Sequence, residues 1–270
     1  MKTNRLYSPL RYPGGKASFS PFIAKVMELN GVSGGHYLEP YAGGAGVALN
    51  LLFNGYAEHI HINDADPAVY AFWKSVTQYS DELLHLLEST PITIDEWFKW
   101  RSILRNECNA SLVEKGFATL FMNRTNRSGI LKAGVIGGKQ QLGTYKLDAR
   151  FNKDAIALRI IEIARRKNDI SIYCEDSLSL LNNCSEFLPE KSLIYLDPPY
   201  YVKGKGLYRN YYNHDDHVAI SKIIQHSNFK YPWVVSYDNT EEICFMYQMS
   251  KSLSYGLNYS AQRRYIGNEI

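Results

Sequence analysis

Apolar and polar positions change period along the chain. Residues 58–62 (Glu-His-Ile-His-Ile) alternate, with Ile60 and Ile62 on one face, which is the period of a strand. Residues 36–39 (His-Tyr-Leu-Glu) read as a short strand entering a glycine turn, and 47–54 (VALNLLFN) as a buried helix closed by Gly55. Asp66-Pro67 supplies an N-cap and a first-turn proline for a helix through about Gln78. Further on, 170–174 (ISIYC), 192–196 (SLIYL) and 233–237 (WVVSY) are short β-branched or aromatic runs, with helical patterns near 215–226 and 239–248. Strands alternating with helices predict an α/β fold with a mostly parallel sheet.

The middle of the chain follows another pattern. Thr93 with Glu96, and Ser111 with Glu114, have capping-box spacing and open helical stretches near 94–107 and 112–122. Residues 123–152 hold five glycines, and 123–153 hold seven Lys or Arg against one acid, a loop or hairpin rich in donors. Asn152 stands where it would cap a further helix through about Lys167. The expected organisation is one α/β domain made of residues 1–84 and 169–270, interrupted by a mainly helical insert at 85–168.

With 270 residues, 45% of them hydrophobic and 21% charged, the chain has the make-up of a soluble globular protein with a sizeable core. The net charge of +3 excludes a strongly basic tail-like binder, but it hides a pattern. Residues 85–168 carry 15 basic and 8 acidic side chains, whereas 31–84 and 169–200 each carry 1 and 6. A +7 insert thus lies between two −5 blocks. The four cysteines form no CxxC pair, so buried free thiols and no metal site are expected. No apolar stretch is long enough for a membrane helix, and no signal core opens the chain, so a cytoplasmic location is expected. Five of the 21 tyrosines fall between 200 and 212, where rings suit stacking on a base.

Two motifs carry chemistry. Glu39-Pro-Tyr-Ala-Gly-Gly-Ala-Gly46 follows a strand and precedes a helix, and Asp64, 20 residues after Gly44, suits ribose hydroxyls. This turn alone fits a dinucleotide dehydrogenase, a methyltransferase using S-adenosylmethionine, or a tight turn with no ligand. Leu49 stands where a dinucleotide fingerprint needs its third glycine. Glu39 would repel a pyrophosphate but favour the ammonium and sulfonium of S-adenosylmethionine.

The second motif is an apolar strand ending in Asp197-Pro198-Pro199-Tyr200. An exocyclic amine on a nucleobase is a poor nucleophile because its lone pair is delocalised. Asp197 can accept one of its N–H bonds and a carbonyl, best placed on Pro198, the other, which localises the lone pair for attack on a methyl donor. Tyr200 offers a ring for the base to stack on.

Together these segments resemble the Dam-like (D12-class) adenine-specific DNA methyltransferases over nearly the whole chain. PLRYPGGK (9–16), YLEPYAGGAGV (37–47), INDAD (62–66), FMNRTNRSGI (121–130) and DPPYY (197–201) look like that family's motifs, in the order that puts cofactor binding before catalysis. The resemblance implies a Rossmann-like methyltransferase sheet with helices on both faces, interrupted by a target-recognition insert with a hairpin. It implies methylation of adenine N6 in duplex DNA, with base flipping, from S-adenosylmethionine. It places Tyr12, Lys16, Glu39, Pro40, Tyr41, Gly43, Gly44, Asp64, Asp176 and Asp197 against the cofactor, and Asp197, Pro198, Pro199 and Tyr200 at the target base. Asn123, Arg124, Asn126, Arg127, Lys132, Lys139 and Lys146 become candidates for DNA contact. The stretch at 201–217 becomes a candidate to order over a flipped nucleotide. The implied partners are double-stranded DNA and, in function, a restriction endonuclease. Chains of that family often run slightly further along what looks like the last strand, which stops here at Ile270. The competing readings are a cytosine-N4 methyltransferase, against which Asp197 speaks, and a silent DNA-binding protein of the same fold, which would need damage to one of the two motifs.

Overall fold

Each of the expected strands pairs in parallel with its neighbours. The computed structural model describes residues 6–12, 15–202, 212–259 and 265–270. Strands β1 (Gly35–Glu39), β2 (Ala57–Asn63), β3 (Ile170–Tyr173), β4 (Ser192–Leu196) and β5 (Trp233–Val235) form one sheet in the order β3-β2-β1-β4-β5. A central parallel strand is covered on both sides, which is why all five residues of β4 are buried and apolar positions run on without alternation. Adjacent residues of β1 point to opposite faces: Tyr37 joins one hydrophobic cluster and Leu38 the other. The first cluster takes in α1 (Ser20–Leu29), α2 (Gly46–Phe53) and α3 (Pro67–Gln78). The second takes in α8 (Ser177–Asn183), α9 (His214–Ile224) and α10 (Glu241–Met246). Strands β6 (Tyr255–Tyr259) and β7 (Tyr265–Glu269) form a separate antiparallel pair. Beside it, Ile270 exchanges two backbone hydrogen bonds with Tyr237 just past β5.

The insert holds α4 (Ser80–Ser89) in part, then α5 (Ile94–Leu104), α6 (Leu112–Thr125) and α7 (Lys153–Ala164). Helix α4 runs through position 84/85, and Trp97, Phe117 and Ile160 of the insert share a cluster with Ile60 and Phe72. Helix α6 is the hub, with every residue from Gly116 to Thr125 buried. It packs on both α3 and α5. Its approach to α3 needs glycine at 116, since a Cβ there would lie 2.2 Å from Ser75 Oγ.

Several local expectations are refined. Asp66 and Asn152 cap their helices, and Ser111 with Glu114 closes a full capping box. Thr93 makes one half of a box, accepting from the Glu96 amide at 3.3 Å. In place of a hairpin ladder, the loop after α6 has a single antiparallel bridge between Asn126 and Val135. Its chain is tied instead by side chains, described below. Of the cysteines, Cys184 is buried, whereas Cys108, Cys174 and Cys244 are exposed. No helix among the described residues is long and apolar enough to cross a membrane.

Candidate active site

The sheet order reverses between β1 and β4, so the loops leaving these strands diverge and open a crevice at their carboxyl ends. Glu39 ends β1 and Asp197 directly follows β4. A cavity of about 690 Å³ lies there, and all ten positions expected against a cofactor line it. Strand order brings the ends of β1, β2 and β4 to this space, and the segment holding Tyr12 and Lys16 joins them from outside the sheet.

The glycine loop is shaped from three sides. Asp64 accepts from the Gly43 amide with Oδ2 (3.0 Å) and from the Asp66 amide with Oδ1 (2.9 Å). Trp73 Nε1 donates to the Gly43 carbonyl at 2.9 Å. Tyr12 covers the loop so closely that a Cβ on Gly43 would lie 2.5 Å from Tyr12 Cε1, and one on Gly44 2.9 Å from Tyr12 Cβ. Gly43 also has a positive φ of 45°. These two glycines are therefore demanded by the tyrosine packed on them. Asn63, fully buried, ties the loop to the strand beyond: its Nδ2 donates to the carbonyls of Pro40 (2.9 Å) and Glu175 (3.1 Å), and its Oδ1 accepts from the Glu175 amide (2.9 Å).

Two carboxyl groups of this cavity, Glu39 and Asp64, are shifted by burial. Glu39 accepts from the Tyr37 hydroxyl at 3.0 Å with Oε1, while Oε2 is buried with no hydrogen-bond partner. Burial pushes the Glu39 carboxyl up to about 8, the Tyr37 bond and the Ala48 amide pulling it down and the charge of Asp197 adding to the rise. Burial likewise pushes Asp64 up to about 7, against the two amides it binds. A carboxyl group whose ionisation is opposed by burial, in the lining of a cavity, suits a cationic ligand. Asp176 is exposed at the rim and caps α8, its Oδ1 taking the Leu178 and Ser179 amides. Tyr41 donates to the Tyr212 hydroxyl at 3.1 Å across the cavity mouth.

Asp197 is fixed by two groups. Ser236 Oγ donates to its Oδ1 at 2.8 Å, and Lys16 Nζ lies 3.3 Å from the same oxygen. Lys16 is 5% exposed and also donates to the Tyr200 hydroxyl at 2.8 Å. Ser236 is held in turn by Tyr195 (2.9 Å). The chain after the motif is anchored by Asp238, which accepts from the amides of Tyr201 (2.8 Å) and Val202 (3.0 Å). Asp197 and Pro199 line the cavity, while Pro198 and Tyr200 are buried behind them. The Tyr200 ring lies under Lys16 at 5.2 Å, so the open stacking face expected of it is covered here. Ser236, Asp238, Asn63 and Trp73 were not singled out from the sequence. For the first two a signal existed: both follow the apolar run WVV at the carboxyl end of a strand. Within the expected closing stretch, residues 203–211 lie outside the described residues, as do Pro13 and Gly14 of the first motif. His217 is buried, its Nδ1 2.9 Å from the Tyr237 hydroxyl.

The candidates for DNA contact divide into two groups. Asn123 and Asn126 are 2% and 0% exposed, and their amides are spent on the backbone and on Trp97. Arg124, 8% exposed, donates to the carbonyls of Pro9 and Arg150. Expected at a DNA contact, these three side chains are here turned inward, where they satisfy carbonyls that have no ladder to bond. Arg127, Lys132, Lys139 and Lys146 are exposed. The first three line a second cavity of about 580 Å³ with Arg101 and Arg105, and no acid lines it. Arg101 stacks over Trp97 at 4.8 Å and Lys139 lies 5.8 Å from the Phe98 ring. Lys146 lies apart, donating to the Gln141 carbonyl at 2.6 Å.

Comparison with known proteins bears on this geometry. The model of the D12 class N6 adenine-specific DNA methyltransferase family matches residues 12–261. The Type II methyltransferase M.MjaIII of Methanocaldococcus jannaschii is 24% identical over 233 residues, which are 79% of this chain and 77% of the relative.

Proposed function

The chain belongs to the D12 class N6 adenine-specific DNA methyltransferase family, and from that premise we propose that it methylates adenine N6 in duplex DNA at the mouth of the larger cavity. Methyltransferases of this kind use S-adenosylmethionine, and the donor set fits it: the orphaned Glu39 oxygen suits the ammonium, and the lone pairs left on Asp64 suit ribose hydroxyls. Tyr12, Lys16, Pro40, Tyr41, Gly43, Gly44 and Asp176 would complete its walls. When bound, the cofactor supplies an electrophilic methyl group.

The observation that carries the reading is the fixed carboxylate of Asp197, held by Ser236 and Lys16 in the same cavity as Glu39. Asp197 accepts one N–H of the flipped adenine amine and a backbone carbonyl of the Pro198-Pro199 turn accepts the other. The lone pair is thereby concentrated on nitrogen, and the proton released on methylation passes to Asp197 or to water. Stacking on Tyr200 would require its ring to be uncovered, and Tyr212, which lines the cavity, is the alternative. The phosphate backbone is gripped by the acid-free cleft of Arg127, Lys132 and Lys139, to which Arg101 and Arg105 belong by position. Residues 85–168 thus act as the recognition insert, although they share a core with residues 31–84. A type II role beside a restriction endonuclease, and action in the cytoplasm, complete the proposal. The test is incubation with labelled S-adenosylmethionine and genomic DNA, followed by mapping of the modified base. Methyladenine in one sequence context is the expected result, and methylcytosine or no transfer would sink it.

A further inference from the structure

Residues 8–12 cross from the insert to the cavity, and side chains of the insert hold their backbone. Asn123 Oδ1 accepts from the Arg11 amide at 2.7 Å and Asn123 Nδ2 donates to the Arg11 carbonyl at 2.9 Å, so one side chain pairs with Arg11 as a neighbouring strand would. The same Nδ2 donates to the Gly129 carbonyl at 2.8 Å. Arg124 donates to the Pro9 carbonyl from Nε at 2.8 Å and from Nη2. Arg159 Nη1 donates to the Ser8 carbonyl at 3.0 Å. Gly129 comes so near that a Cβ there would lie 2.1 Å from the Arg11 oxygen. At the end of this strap Tyr12 packs on Gly43 and Gly44, and beyond it Lys16 reaches Asp197 and Tyr200.

We infer that Asn123, Arg124 and Arg159 are positioning residues: they hold the strap at 8–12, and through it set Tyr12 on the glycine loop and Lys16 on Asp197. The inference rests on the function proposed above. Backbone groups clamped by a two-way amide and a guanidinium fork have little freedom to shift. An error of about an ångström at Tyr12 or Lys16 is carried straight to the cofactor loop and the reacting carboxylate. The insert is then part of the reacting centre even before it meets DNA.

The test uses the full chain carrying Asn123→Ala and, as a milder break that keeps the charge, Arg159→Lys. Three quantities are read: S-adenosylmethionine affinity without DNA, DNA affinity, and the single-turnover rate of methyl transfer with both saturating. Cofactor affinity and single-turnover rate are each expected to fall about tenfold in Asn123→Ala, and less in Arg159→Lys. DNA affinity is expected to stay within about twofold. In cofactor-free protein, amide hydrogen exchange should quicken at residues 8–16 and 43–44 and stay unchanged in β4. Loss of DNA affinity with cofactor affinity and rate intact would make Asn123 a base reader and overturn the inference. A lowered melting temperature with all three quantities and the exchange pattern unchanged would overturn it too. If the wild-type chain transfers no methyl group, the proposed function fails, and the exchange comparison still decides the strap.

Discussion

At the carboxyl edge of the sheet, Glu39 leaves an oxygen unpaired in a cavity and Asp197 is aimed into the same space by Ser236 and Lys16. In the loop after α6, Asn126 leaves nothing unpaired: its Oδ1 accepts from Trp97 Nε1 at 2.7 Å, and its Nδ2 donates to the carbonyls of Ile130 (3.1 Å) and Leu131 (2.9 Å). Both regions are rich in buried polar side chains. In the first, one oxygen of Glu39 is left without a partner; in the second they complete the chain's own backbone. A buried carboxyl oxygen left over in the lining of a cavity suits a ligand, whereas an amide bonded on both sides suits architecture.

The comparison can be broken at four places. Asp197→Ala is expected to lower methyl transfer by about 100-fold or more while S-adenosylmethionine affinity changes little. Turnover near wild type in that variant would remove the catalytic edge from its role. Asn126→Ala should act on stability instead, costing about 2–3 kcal/mol in denaturant unfolding because the Trp97 indole and two carbonyls lose their partner. A loss of sequence preference in DNA at unchanged stability would erase the distinction between the two regions.

The third prediction concerns pH. In the cofactor-free fold the Glu39 carboxyl sits at about 8 against an ordinary 4.5, so the folded state keeps a proton that the unfolded state has released. Its contribution to stability is present below about 4.5 and is lost as pH rises to about 8, with Asp64 adding a similar loss up to about 7. Unfolding midpoints measured across that window should fall with pH, and Glu39→Gln should flatten the fall. A wild-type curve that rises with pH there, or one that Glu39→Gln leaves unaltered, would contradict the protonated state. The smallest effects belong to the basic cleft. Arg105→Ala or Lys139→Ala should weaken DNA binding severalfold and reduce the slope of log affinity against log salt by about 1 each. An unchanged slope would move the DNA grip away from the cleft.

The legibility of the two regions differs for a physical reason. Glu39, Asp64 and Asp197 stand at the ends of apolar strands, where the polypeptide has no use for a charge of its own, so the local pattern already announces them. Ser236 and Asp238 had the same signal in weaker form. Asn123, Arg124 and Asn126 stand in a glycine-rich stretch with basic residues around them, and there a surface role and an internal one have the same composition. What separates them is the burial created by α3, α4 and α5 around α6, packing that no local pattern encodes. The paired strands of a hairpin were expected at 123–152 on the same composition, and side-chain ties took the place of a ladder.

By itself the sequence determined the period of each strand and helix, the caps that start them, and the two acidic motifs, because these follow from neighbours along the chain. Only the tertiary structure decided that β1 and β4 lie side by side and that Tyr12 is the reason for Gly43 and Gly44. It alone decided that Asn123 faces inward to hold residues 8–12. Those outcomes depend on which surfaces meet, and burial, which sets the energy of every unpaired polar group, exists only once they have met.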